Sequence, residues 1–219
     1  MAANSSRKQH RPVASNAERR ILDAAERLFA EFGYNGVSVR DITKAAGANL
    51  SSVYYHFHSK PDLLDAVCRR RMAPIVEQRL AEMRAAAGSG RADADALVAA
   101  FVASSIRRSL GRGARAKTFR QLVGHLGTDP TPEVRKVVGR IYDESVAEFV
   151  AALRALYPKA AAPALFWAVA CTLGVTLYVQ GDLARLRGLL KLPQQPANAD
   201  DAIRQVTRYI AGGLTAATD

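Results

Sequence analysis

A chain of 219 residues, 49% of them hydrophobic, can bury a core of its own and divide into a smaller and a larger part, and it lacks the composition of a disordered protein. Its 31 Lys and Arg against 20 Asp and Glu give a formal charge of +11, which favours polyanionic partners, nucleic acid ahead of a membrane surface. Cys68 and Cys171 lie far apart, with no CxxC pair and no His/Cys cluster at zinc spacing, which argues against a disulfide framework and fits a reducing cytoplasm.

Residues 1–14 read as a disordered basic arm carrying Arg7, Lys8, His10 and Arg11, without the apolar run of a signal peptide. Ser15 and Glu18 form an S-x-x-E capping box. Ile21, Leu22, Ala25, Leu28, Phe29 and Phe32 follow at helical spacing, up to Gly33, which suits a left-handed helix stop. Ser38 with Asp41 opens a short second helix whose Ile42, Ala45 and Ala46 face inward, and Gly47 ends it. Asn49 caps a third helix, from Leu50 to about His56. Ser59 with Asp62 starts a longer fourth helix that tolerates Pro61 in its first turn, and Pro74 well inside it predicts a kink or break.

The remainder is again helical in pattern. Gly88-Ser89-Gly90 separates a helix from the next, expected from about Asp93 to Leu110 with Leu97, Phe101 and Ile106 inward. After Gly111-Arg112-Gly113 come a short helix, about Ala114 to Leu126, and a long one from the Thr128–Pro132 turn to about Tyr157. A further helix is expected from about Ala161 to Leu190. Pro193 to Pro196 then precede a last helix at about Ala199–Thr215. No strand alternation stands out, so the fold class is all-α. The uncharged stretch Ala160 to Gly181 is long enough, at about 1.5 Å per residue, to cross a ~30 Å hydrocarbon layer. It is rich in alanine and includes Pro163, Thr172, Thr176 and Gln180, so a helix buried between protein surfaces is expected and not a membrane span.

The first three helices, joined by short turns, make a helix-turn-helix from about Ser38 to Phe57. Ser51, Ser52, Tyr54, Tyr55 and His56 give the third helix polar and amphipathic side chains that can meet phosphates or base edges. Lys60 follows at the start of the next helix, where its ammonium can meet a phosphate. Phe29, Phe32, Ile42, Val53 and Phe57 are expected in the core that sets the helix angles. Tyr54 reads as a phosphate contact or as half-buried packing. His56 and His58 fall on different helix faces, which argues against a metal site. Arg69-Arg70-Arg71 reads as a solvated face or as an approach to DNA. No H-E-x-x-H, G-x-S-x-G or glycine-rich phosphate loop occurs, so no enzyme activity and no cofactor are expected.

Residues 21–67 resemble the TetR family of regulators. The match is carried by the A-x-x-L-F-x-x-x-G-Y run from Ala25 to Tyr34, the I-x-x-x-A-G run from Ile42 to Gly47, and the Y-x-H-F-x-x-K-x-x-L run from Tyr54 to Leu63. The form N-L-S-S-V-x-Y-H-F-x-S-K from Asn49 to Lys60 is similar to a fatty-acid-responsive branch. The resemblance implies a homodimer that reads a double-stranded DNA operator with its N-terminal helices and holds a small-molecule effector in its C-terminal ones. Matched onto this chain, the implied DNA contacts are Val39, Arg40 and Lys44 on the second helix, Leu50 to His56 on the third, and Lys60. Tyr54 and His56 match the phosphate-clamping positions, with Tyr55 and Ser52 for bases. The family often has Gly-Val-Ser before the third helix where this chain has Gly47-Ala48-Asn49, so base preference does not transfer.

The expected organisation is an arm over 1–14, a helix-turn-helix domain over 15–60 and a ligand-binding and dimerisation domain over 61–219. Phe101, Leu122, His125, Phe149, Phe166 and Trp167 are the candidate pocket residues, with packing in the core as the alternative for each. Ala170 and Gly174 allow close approach of another helix, in a dimer or within the chain. The expected function is a cytoplasmic dimeric repressor released from a palindromic operator by a fatty acid, an acyl-CoA or a drug-like molecule. A DNA-binding module with a solid C-terminal core, or an enzyme targeted by its helix-turn-helix, are the competing readings.

Overall fold

The computed structural model describes residues 16–88, 93–181, 183–193 and 198–218, and among them every regular element is a helix. The basic arm, Ser15 of the first capping box, Ser89-Gly90 and the stretch from Gln194 to Pro196 lie outside the described residues.

The head is built from α1 (Asn16–Phe32), α2 (Val39–Ala46) and α3 (Leu50–Phe57). Ile21, Ala25 and Phe29 of α1 meet Ile42 and Ala46 of α2 and Val53 and Phe57 of α3, all buried in one cluster. Such side chains contribute about 1.5–3 kcal/mol each when fully buried, enough to fix helices too short to be stable alone. Two inward expectations fail: Phe32, in the last turn of α1, is 53% exposed, and Ala45 is exposed.

The fourth helix breaks at Met72, giving α4 (Lys60–Arg71) and α5 (Ala73–Gly88). Pro74 causes the break two residues upstream, because a proline lacks an N–H and disfavours helix geometry in the residue before it. The C-terminal part continues with α6 (Ala94–Leu110), α7 (Ala114–Thr128), α8 (Pro132–Leu156), α9 (Ala162–Gln180), α10 (Ala184–Leu189) and α11 (Ala199–Thr218). The single helix expected from Ala161 to Leu190 is therefore two, parted around Gly181. Ten of the seventeen residues of α6 are buried, making it the axis around which α5, α7, α8, α9 and α11 pack. The hydrophobic cluster is continuous from Ile21 in the head to Leu214 in α11.

Among the described residues, head and C-terminal part are fastened at three places. Glu26 of α1, only 7% exposed, takes Arg70 and Arg71 from the end of α4, Arg71 at 2.6 Å, while Arg70 also reaches Asp23 at 2.8 Å. Thus two of the three consecutive arginines are neither a solvated face nor a DNA approach. Arg69, itself exposed, pairs with the half-buried Asp65. Asn35 Nδ2 donates to Thr131 Oγ1 at 2.7 Å, and α1 lies along α7. Gly33, at φ 71°, leaves room for His125: a Cβ there would stand 3.2 Å from the imidazole Nδ1.

Replacing Glu26 by Gln leaves the partly buried Arg71 without a carboxylate and Arg70 with Asp23 alone, so Glu26→Gln should lower stability by about 1–3 kcal/mol in urea denaturation. Arg69→Ala, which removes an exposed guanidinium, should stay within about 0.5 kcal/mol of the parent.

Candidate nucleic-acid interface

The turn between α2 and α3 is fixed by local chemistry. Ser38 Oγ accepts from the Asp41 backbone N–H at 3.2 Å while the Asp41 carboxylate accepts from Ser38 N–H at 2.9 Å and from its hydroxyl at 2.6 Å, completing the capping box. These bonds hold the Asp41 carboxyl below its ordinary pKa. The box is therefore intact above the usual carboxylate range and is lost as the pH falls through the lowered value. Gly47 ends α2 in the left-handed region at φ 57°, with its N–H directed to Lys44 and Thr43 carbonyls. Asn49 Oδ1 caps α3, accepting from the Ser52 N–H at 2.7 Å and from the Ser52 hydroxyl at 2.8 Å.

These caps aim α3 outward. Val53 and Phe57 bury one face, and the opposite face presents Leu50 at 40%, Tyr54 at 49% and Tyr55 at 80% exposure, with Ser51 also exposed. Tyr54 is thus mostly outside the core. Ser52 is half-buried, its hydroxyl proton committed to Asn49, so it retains acceptor capacity only. The His56 ring stands edge-on to Tyr55 at 5.1 Å. On α2, Arg40 and Lys44 are exposed one turn apart, while Val39 is half-buried against the core. Lys60 lies with its ammonium 4.1 Å from the centre of the Tyr34 ring, and partial burial lowers its pKa. Tyr34 is raised by burial first and then by Glu133 and Asp129.

A cavity of about 250 Å³ opens between α5, α6, α7, α8 and α9. Its walls include Met72 at the α4–α5 break, Phe101, Leu126, Tyr142, Leu177 and the buried Arg79. Of the sequence candidates, Phe101 alone lines this cavity; Phe149 stacks on it at 4.3 Å and Leu122 is buried on α7, both as core and not as wall. The other three lie away from it. His125 is exposed and faces Gly33, and Phe166 and Trp167 are 63% and 65% exposed on the far side of α9. Sequence reading missed Met72, Arg79 and Tyr142; a cation inside a helical repeat reads as surface, and the Pro74 break was the only local signal near Met72.

Two family descriptions match this chain: "Bacterial regulatory proteins, tetR family" over residues 21–67 and "Tetracyclin repressor-like, C-terminal domain" over residues 99–213, the latter more than half its length. The chain belongs to the TetR family. Its members are DNA-binding transcription regulators and not enzymes. The repressor AcnR of Corynebacterium glutamicum is 37% identical over 67 residues, 29% of this chain and 36% of that protein. The repressor KstR2 of Rhodococcus jostii is 47% identical over 49 residues, 22% of this chain and 24% of KstR2. This chain thus spans about a third or less of the length of these relatives. Among solved structures, the fatty acid degradation regulator FadR of Bacillus halodurans superposes with a TM-score of 0.63 at 17% identity, over 94% of this chain and 98% of that one. FadR of Bacillus subtilis, in complex with stearoyl-CoA, gives 0.60 at 17% identity, over 89% and 98%. Identities this low establish the shared fold alone.

Gly47→Ala meets no atom within 4 Å, so its whole effect is the left-handed backbone. It should cost about 1 kcal/mol in urea denaturation. Gly47→Asn, which tolerates that region, should recover much of the loss.

Proposed function

We propose that the chain acts as a cytoplasmic homodimeric repressor, released from a palindromic operator by a small, largely apolar effector. The observation that carries this reading is the outward face of α3, where Tyr54 and Tyr55 stand open while Val53 and Phe57 anchor the helix. A helix held in that way can lie in a major groove, with Tyr55 and Ser51 toward base edges and Arg40, Lys44, Tyr54, His56 and Lys60 toward phosphates. Lys60 reaches a phosphate by leaving the Tyr34 ring, an exchange of one modest electrostatic contact for another.

A helix so placed once per subunit calls for a two-fold partner, and α9 supports one. Its inner stripe, Leu165, Ala168, Thr172, Thr176 and Gln180, packs within the chain. Its outer stripe exposes Phe166, Trp167, Leu173 and Tyr178. By length and composition α9 could cross a membrane, with a mean hydropathy of 1.7 and only its inner stripe buried. Gln180 and Ser109 nevertheless hydrogen-bond on the inner side, and an isologous contact of α9 and α11 with their copies covers the apolar outer side. It would set the two α3 helices about one DNA turn, ~34–36 Å, apart.

The cavity supports the sensor half over a constitutive binding module. Stearoyl-CoA in the Bacillus subtilis neighbour is in keeping with an apolar effector in this fold. Met72 is a cavity wall and also the residue that follows the arginines held by Glu26, so a ligand pressing on it displaces the head. An effector releases DNA by as much as its affinity differs between the two positions of the head.

Trp167→Glu should yield monomers in analytical ultracentrifugation and abolish operator binding; a dimer retained at micromolar concentration would remove α9 from the interface. In fluorescence anisotropy titrations, Lys60→Ala should weaken binding on specific and random duplexes alike and reduce the salt slope by ~1. Tyr55→Ala should change base preference, at a cost of roughly 1–3 kcal/mol on the operator only.

A further inference from the structure

Arg79 on α5 is 3% exposed, yet no carboxylate among the described residues lies within 4.0 Å of its guanidinium. Its Nη1 donates to Ser145 Oγ at 3.3 Å, a neutral partner whose own hydroxyl proton is given to the Tyr142 carbonyl. Its Nε has no partner among the described residues. The Phe101 and Tyr142 rings lie 4.3 and 5.6 Å from the guanidinium carbon and offset part of the burial. Glu82, one turn along α5, contributes a favourable field; its Oε1 accepts from Gln78 and faces Arg107 at 3.8 Å, while its buried Oε2 has no hydrogen-bond partner among the described residues and still lies beyond 4.0 Å of the Arg79 guanidinium. A buried guanidinium with five donors and one neutral acceptor is an incomplete site.

The rest of the cavity points the same way. Thr176 gives its hydroxyl proton to the Thr172 carbonyl, and Gln180 spends its amide on the Thr176 carbonyl and its oxygen on Ser109. Asp143, the acid among the wall residues, is exposed. Burial pushes the Tyr142 hydroxyl up to about 12, against the opposing pull of Arg79, so this phenol stays protonated and can donate. The other walls are apolar.

Resting on the sensor reading above, we propose that the effector is a small organic acid whose carboxylate is bound by Arg79, with its apolar body against Phe101, Leu126 and Leu177. The cavity of about 250 Å³, open on one side, sets the scale of the part of the ligand that lies inside it: a cavity of ~150 Å³ holds the six carbons of benzene, which scales to roughly ten heavy atoms here. A free acid of that size fits, whereas its coenzyme A thioester is several times larger and has lost the carboxylate that Arg79 requires.

Isothermal titration of the full-length protein with octanoate and 3-phenylpropanoate, each beside its primary amide, tests this without any variant. At least one acid should bind about tenfold or more tightly than its amide, the scale of a charge-assisted hydrogen bond. Arg79→Met should abolish that preference while leaving amide binding within about threefold, and Arg79→Lys should restore part of it. Circular dichroism establishes that the variants are folded. Equal binding of acid and amide, binding of neither, or an acid preference that survives in folded Arg79→Met overturns the inference. Operator release is read separately by anisotropy. A neutral ligand that binds and releases DNA where the acids do not overturns the inference and leaves the sensor reading standing. An acid that binds through Arg79 without releasing DNA upholds the carboxylate site at Arg79 and overturns its role as a sensor.

Discussion

The carboxylate of Glu26 is the point on which the two halves of the molecule are joined. It is buried in α1, and among the described residues the cations that reach it come from the last turn of α4, immediately before the helix breaks at Met72. A buried carboxylate stripped of its partners is costly by several kcal/mol, so α1 follows Arg70 and Arg71 wherever the end of α4 goes. Without this joint α1 would still lie along α7, but the end of α4 would keep only the Arg70–Asp23 pair to tie it to α1 by charge.

The joint also explains why the break matters. Had α4 and α5 been one straight helix, Met72 would be a buried residue among others. Because Pro74 parts them, Met72 is at once a cavity wall and the neighbour of the arginines that hold the head. Two further contacts close the frame, Asn35 to Thr131 and Gly33 under His125, so the head rests on α7 and the start of α8 as well as on α4. Under the proposed function, filling the cavity shifts a population between two seatings of this frame, and the exposed aromatic face of α3 reports the shift to DNA.

What could be read from the sequence was what is local. The boxes of Ser38 with Asp41 and Ser59 with Asp62, the Asn49 cap and the Gly47 stop each act over three or four residues, and the short helices formed where those signals placed them. The alternation of Val53 and Phe57 with Tyr54 and Tyr55 also gave the right outward face. What escaped depends on distant partners. Glu26 finds Arg70 and Arg71 44 and 45 residues away. Arg79 is buried only because α6 and α8 enclose it. Phe32 has the right helical phase for the core, yet it is 53% exposed. Phe166 and Trp167 suit a core or a pocket wall by residue type, yet they face out from α9, because an evenly apolar helix gives no phase by which to tell its two sides apart.

The claim that Glu26 fixes the seating of the head can be measured as a distance. Nitroxides introduced through Arg19→Cys, an exposed site on α1, in a Cys171→Ser background would report the separation of the two heads in the dimer. Cys68 is buried, its thiol pushed up to about 12 by burial, and should not label. Double electron–electron resonance should give one narrow distance distribution when Glu26 is present and a broad one after Glu26→Gln. An equally narrow distribution, at the same distance, in the Glu26→Gln protein would contradict the account.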